Sequence, residues 1–164
     1  MRVVPLLLLL GASTVSAADW PGVKYTEVRA YFYNADSEHS RHFILPDGKL
    51  DPSASPSGGV GLNPAQVARL LAAINGPAPT HPVTSCYVPH HAFAFYNSWG
   101  RRVAVFEFCL ECLKASADPN TAGPYHNYPA LAELIAELKL SLGPKFRTPR
   151  DYRRKYNQML RSTS

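Results

Sequence analysis

The chain has few of the features that indicate a function directly. It contains three cysteines among 164 residues, and an odd number cannot pair completely within one chain. It has no Gly-x-Ser-x-Gly, no glycine-rich phosphate loop before a helix and no His-Glu-x-x-His. Asp47–Asp51 lacks the alternating oxygen ligands of a calcium loop. Leu113 stands where a histidine would follow the Cys-x-x-Cys motif in covalent haem attachment, which argues against that class.

No apolar run in the chain is long enough to span a bilayer. The run Val3–Leu10 is preceded by Arg2 and followed by small residues that end at Ala18, a pattern typical of a cleavable signal peptide. No cysteine follows the run for lipid attachment. We therefore expect a signal peptide at residues 1–18 and a mature chain, residues 19–164, that is periplasmic or secreted and has no transmembrane segment.

The excess positive charge lies mainly near the C-terminus. The formal net charge of +5 becomes +4 when the predicted signal peptide, with Arg2 as its charged residue, is removed. A basic cluster surrounds the single acid Asp151 and consists of Lys145, Arg147, Arg150, Arg153, Arg154, Lys155 and Arg161. A solvated helix face is the ordinary interpretation, and contact with phospholipid headgroups or nucleic acid is the alternative. No specific nucleic-acid motif accompanies the cluster, and neither the macromolecular partner nor the oligomeric state can be predicted.

Apolar periodicity predicts one α+β domain over residues 19–164. Residues 23–34 and 41–45 are rich in strand-forming side chains and are expected to form a hairpin, whereas Pro, Ser and Gly at 51–62 favour a loop. Two further strands are expected in the middle of the chain. The predicted fold is an antiparallel sheet of about four strands packed against two or three amphipathic helices.

Three helices are predicted from their apolar stripes and their ends. Asn63 and Pro64 supply a cap and a first-turn proline for a helix that ends at Gly76. A second helix is expected from about Pro129 to Gly143, and a third, basic helix is expected to begin after Thr148.

A second hairpin is predicted from residues 90–97 and 102–110. If Asn97 pairs with Arg102, the antiparallel register sets His90 opposite Cys109 on one face. The other face then carries an aromatic surface suited to the core, formed by His91, Phe93, Phe95, Phe106 and Phe108. A turn longer or shorter by one residue would exchange the roles of the two histidines.

The hairpin brings together the only chemical constellation in the sequence. Thiolates and imidazole are the ligands of tetrahedral zinc sites, and Cys-x-x-Cys can present two sulfurs from one tight turn. We expect a transition-metal site formed by Cys86, His90, Cys109 and Cys112, with His91 as the substitute ligand. Zinc in a structural or binding role is the favoured metal, and soft sulfur ligands leave copper and iron as alternatives.

Two alternatives compete with a metal site. Exported cysteines usually oxidise, which favours a disulfide with one remaining thiol in a secreted interaction module without metal. A thiol–disulfide oxidoreductase is the third hypothesis, in which a helix that starts at the Cys-x-x-Cys motif could stabilise the Cys109 thiolate through its dipole. Glu107, on the face of Cys109, could orient His90 or act as a base, and a solvent-facing or capped carboxylate is its ordinary role. The sequence does not decide whether the protein is an enzyme.

Overall fold

The computed structural model describes residues 19–35, 42–81 and 85–161. The predicted signal peptide, residues 1–18, lies outside the described residues. The described chain forms a five-stranded antiparallel sheet and three helices, which confirms the predicted α+β fold. Within these ranges no helix combines the length and the apolar character needed to cross a membrane.

The sheet is built around the predicted second hairpin. Its strands are β1 (Glu27–Phe32), β2 (Ser55–Gly61), β3 (His91–Tyr96), β4 (Arg102–Cys109) and β5 (Lys114–Asp118). Across the sheet they lie in the order β2-β1-β3-β4-β5, and all four neighbouring pairs are antiparallel. The β3–β4 hairpin therefore occupies the middle of the sheet, and β2 and β5 form its edges.

The partner of β1 differs from the prediction. The neighbour of β1 at the edge is β2, which lies inside the segment 51–62 that was expected to be a loop. The described part of the expected partner, residues 42–45, contributes only an isolated bridge between Ile44 and Leu50. Backbone pairing at a sheet edge does not require an alternating apolar pattern, and an edge strand tolerates a residue such as Pro56 that cannot donate.

The register of the central hairpin agrees with the predicted one over most of its length. His91 pairs with Phe108 and Ala92 pairs with Glu107, as expected from the assumed turn. A β-bulge next to the turn shifts Tyr96 to face Arg102. The shift lies at the turn end, so the faces of residues 91–95 are those that the sequence predicts.

Three helices follow the predicted sequence signals closely at their starts. They are α1 (Pro64–Asn75), α2 (Tyr128–Glu137) and α3 (Pro149–Arg161). Asn63 and Gln66 form a reciprocal capping box at the start of α1, with both bonds at 2.9 Å. At the start of α3, the hydroxyl of Thr148 accepts the amide of Asp151 at 3.1 Å.

The second helix ends earlier than predicted. Lys139 takes a left-handed conformation with φ of 59°, and the amide of Leu140 donates to the carbonyl of Ile135. Together with the bond from the Lys139 amide to Ala136, this is a Schellman ending with lysine at the position that glycine usually takes. The chain therefore leaves the helix before Gly143, and residues 138–147 run beside the end of the sheet that carries His91.

The core lies mainly between the sheet and the helices. Its centre is a set of fully buried aromatic rings on one face of β3 and β4, packed against α1, α2 and α3 and formed by Phe93, Phe95, Phe106 and Phe108. A smaller cluster on the opposite face contains Tyr31, Tyr33 and Phe43. Each fully buried phenylalanine contributes roughly 2 kcal/mol through the hydrophobic effect, which fixes the orientation of β3 and β4.

Candidate functional site

The Cys-x-x-Cys motif lies in the turn that joins β4 to β5. Cys109 is the last residue of β4 and pairs with Lys114, the first residue of β5. Leu113 closes the turn with a φ of 49°. The expectation that a helix starts at the motif is therefore wrong, because the chain returns into the sheet at Lys114.

Cys86 approaches this turn from the segment before β3. Its Sγ atom lies 2.6 Å from Sγ of Cys112, although the two residues are 26 positions apart. The backbone amide of Cys112 donates to Sγ of Cys109 at 3.1 Å. The structure thus brings the three predicted cysteines together, with Cys86 exposed and the other two buried.

The pKa values of the two cysteines of the turn are shifted in opposite directions. The pKa of Cys109 is lowered, chiefly because the thiol of Cys112 donates to it, with further donation from the amides of Val88 and Cys112. The pKa of Cys112 is raised, because its proton is held by Cys109 and because the thiol is buried. Cys109 is therefore the thiol of the pair that ionises more readily. Only 1% of its surface is exposed, so an external disulfide cannot reach it directly.

His91 is a buried core residue. It stacks on Phe108 with ring centres 5.2 Å apart, and its Nε2 donates to the carbonyl of Ser141 at 2.7 Å. Burial lowers its pKa to about 4, and the neighbouring His90 adds to the effect. The imidazole is therefore neutral at neutral pH, with its proton on Nε2.

His90 lies at the same end of the sheet. Its ring centre is 6.2 Å from that of Phe32, and its Cδ2 faces Gly143, where an added Cβ would lie 3.7 Å away. Its Nδ1 is buried and has no hydrogen-bond partner among the described residues. The observed contacts of both imidazoles are with aromatic rings and with residues 141–143.

The distance between the sulfurs of Cys86 and Cys112 does not fit tetrahedral coordination of one metal ion. Two thiolates bound to one zinc at about 2.3 Å in tetrahedral geometry lie roughly 3.8 Å apart. The Cys86–Cys112 distance of 2.6 Å is much shorter and is closer to the roughly 2.05 Å of a disulfide bond. Over residues 19–35, 42–81 and 85–161, no group of three or more His, Cys, Asp or Glu side chains is arranged to hold a metal ion.

Glu107 has a role that the sequence did not indicate. Its carboxylate is buried and accepts four hydrogen bonds, from the Tyr33 hydroxyl at 3.2 Å, the Phe43 amide at 2.7 Å, the Tyr87 hydroxyl at 3.1 Å and His42 Nδ1 at 2.6 Å. Burial raises the pKa of both tyrosines, and the adjacent carboxylate adds to the effect. A buried acid with this many donors is a structural hub.

The Glu107 hub positions Cys86. Tyr87 directly follows Cys86, and its hydroxyl fastens this segment to the same face of β4 on which Cys109 ends the strand. The short Cys86–Cys112 distance therefore depends on a partly buried hydrogen bond made by the next residue, Tyr87. The sequence did not indicate this hub, because only the fold brings residues 33, 43, 87 and 107 together.

Comparisons with protein-family models, with curated proteins and with solved structures find no match for this chain. The proposal below therefore depends on the residues and their geometry.

Proposed function

We propose that the protein is an exported interaction module in which a disulfide between Cys86 and Cys112 fastens the segment before β3 to the β4–β5 turn. The observation that carries the proposal is the 2.6 Å separation of the two sulfurs. Two uncharged thiols in ordinary contact would lie farther apart, and the distance approaches that of a covalent bond. Formation of the bond removes two electrons and two protons, which a small-molecule disulfide in an oxidising compartment accepts.

Cys109 remains as the third thiol. Its pKa is lowered through the hydrogen bond from Cys112, which a disulfide would remove, and burial would then favour the neutral thiol. A buried thiol of this kind packs like a small apolar residue. The odd number of cysteines is then accounted for without an intermolecular bridge.

The stabilisation by the disulfide follows from the length of the loop that it closes. For a loop of 26 residues, the chain-entropy relation gives about 3.5 kcal/mol. Reduction should therefore lower the unfolding free energy of the wild-type protein by about that amount. The variant Cys86→Ser should have the lower stability already and should not respond to reductant.

The matched control is Cys109→Ser, which removes a thiol from the same cluster and leaves the proposed bond. Its stability should still fall on reduction. Urea unfolding with and without reductant, together with thiol counting in the unfolded state, measures both effects. Three free thiols in protein purified without reductant, or an equal response of the two variants, would refute the disulfide.

Metal coordination stays the second candidate. It is favoured by the convergence of three sulfurs. Zinc held by Cys86, Cys109, Cys112 and one histidine would require the sulfurs to separate by about 1 Å from their present contact. One zinc per chain after purification, with loss of stability in chelator and no effect of oxidant, is the result expected for that alternative.

A further inference from the structure

A groove lies beside the cysteine turn, between that turn and the C-terminal helix. It has a volume of about 640 Å³ and lies next to Glu111, which stands between Cys109 and Cys112. Its charged lining residues are Glu111, Lys145, Arg147, Asp151, Arg154 and Lys155. A volume of this size holds a small organic molecule.

The charges of the groove do not cancel. Lys145 pairs with Glu111 at 2.6 Å, and Arg154 pairs with Asp151 at 3.3 Å. Arg147 and Lys155 have no ion pair within the described part of the chain. The four cations and two carboxylates that line the groove give it a formal charge of +2.

Two of the four cations in the groove are paired with carboxylates. The hydrogen bond to Glu111 raises the pKa of Lys145, so this ammonium group stays charged at neutral pH. The second oxygen of Glu111, Oε1, is buried and has no hydrogen-bond partner among the described residues. That oxygen is closed to solvent, so a ligand in the groove would meet the Lys145–Glu111 ion pair rather than this atom.

These features together match one kind of ligand. A phosphate monoester carries a charge of about −1.5 to −2 at neutral pH and offers three acceptor oxygens. Guanidinium groups bind such oxygens in a forked geometry, and lysine adds a point charge. The apolar side chains of Phe146 and Met159, which also line the groove, leave space for an organic body beside the charged group.

We propose that the groove between the Cys-x-x-Cys turn and α3 binds the phosphate monoester of a small organic molecule. Arg147 and Lys155 bind the phosphate, and the rest of the ligand lies against Phe146 and Met159. The site does not depend on the oxidation of the cysteines, so it stands or fails separately from the proposed disulfide.

The test is calorimetric titration of the mature chain with glycerol 3-phosphate at about 0.15 M salt, where long-range attraction is screened. We expect saturable binding at one site, and no binding of glycerol. The double variant Arg147→Gln/Lys155→Gln should weaken binding by at least about tenfold, the effect of losing one charge-assisted hydrogen bond or more. The control Arg150→Gln/Arg161→Gln removes the same amount of charge from α3 outside the groove, and should change the affinity by less than about twofold.

A second measurement on the wild-type protein does not depend on how the variants fold. The second proton of a phosphate monoester has a pKa of about 6, so binding should weaken as the pH falls below 6. Vesicles that contain phosphatidic acid, a lipid monoester, distinguish a membrane source of the phosphate from a soluble one. Binding of both probes, or of glycerol 3-phosphate alone, supports the site.

Three results would overturn it. The first is that glycerol 3-phosphate shows no saturable binding at concentrations up to about 10 mM. A dissociation constant above that value corresponds to a binding free energy of less than about 3 kcal/mol. The second is equal weakening in the two double variants, which would indicate general attraction by a basic surface. The third is binding to phosphatidylglycerol vesicles without binding to glycerol 3-phosphate, because that lipid presents only a singly charged diester.

Discussion

Acid should destabilise the protein through His91. The imidazole is buried against Phe108 and holds its proton on Nε2 for the carbonyl of Ser141. Its pKa is about 4 in the folded protein because burial disfavours the charged form, whereas an unfolded chain has a histidine pKa of about 6.5. Between those two values the unfolded chain binds a proton that the folded protein does not. The unfolding free energy contributed by this group is therefore fully present above pH 6.5 and is lost as the pH falls towards 4.

The size of the loss follows from the difference between the two pKa values. A difference of one between the folded and unfolded pKa values corresponds to about 1.36 kcal/mol. The difference between 6.5 and about 4 therefore corresponds to a loss of roughly 3 kcal/mol of unfolding free energy at and below pH 4. For a domain whose total stability is about 5–15 kcal/mol, this is a substantial fraction.

Urea unfolding at several pH values between 7 and 4 measures the effect, and the variant His91→Gln separates it from the titration of other groups. The variant should be less stable at pH 7, because it loses the ring stack and changes the bond to Ser141. The stability gap between the wild-type protein and the variant should then narrow by about 3 kcal/mol as the pH falls to 4. A gap that stays constant over this range, or a pKa of His91 near 6.5 by NMR titration, would contradict the reasoning.

Two further substitutions test the hub and the edge of the sheet. Glu107→Gln should lower the unfolding free energy by about 2–4 kcal/mol in urea unfolding, because a buried acceptor of four hydrogen bonds loses its charge, whereas the exposed Glu27→Gln should cost under about 0.5 kcal/mol. Equal losses in these two variants would show that Glu107 is not a hub. Gly59→Ala should cost at least about 2 kcal/mol, because φ is +72° and the new Cβ would lie 2.6 Å from the ring of Tyr31. Gly58→Ala, which meets nothing within 4 Å, is the control, and similar thermal midpoints for the two alanine variants would argue against this strain.

The predictions made from local signals agree best with the structure. The capping box of Asn63 and Gln66 needs only neighbouring residues, and α1 begins where the sequence places it. The register of β3 and β4 likewise follows from a short turn and an aromatic face, and only the bulge beside Tyr96 departs from it. In both cases the residues that decide the structure are close together in the chain.

The missed features depend on contacts between distant segments. The edge strand β2 has the sequence of a loop and is held by backbone bonds to β1, and β5 is short and rich in small residues. The end of α2 is set by a left-handed lysine, which apolar periodicity does not reveal. Such features become visible only when the partner segment is known.

In the candidate site, too, some features follow from the local sequence and others depend on contacts between distant segments. A tight turn at Cys-x-x-Cys and the approach of Cys86 agree with the sequence, whereas the contact between the sulfurs of Cys86 and Cys112 does not follow from it. That contact is set by the path of residues 86–90, which the bond from Tyr87 to Glu107 fixes. No pattern of cysteine spacing encodes this bond.

The most direct test of the proposed disulfide is peptide mapping of alkylated protein purified without reductant. Cleavage after Glu111 separates Cys109 from Cys112, so mass spectrometry can assign each sulfur. We expect a peptide that contains Cys86 to be linked to the peptide that contains Cys112, with Cys109 alkylated only after unfolding. A link between Cys109 and Cys112, or alkylation of all three cysteines, would contradict the proposal.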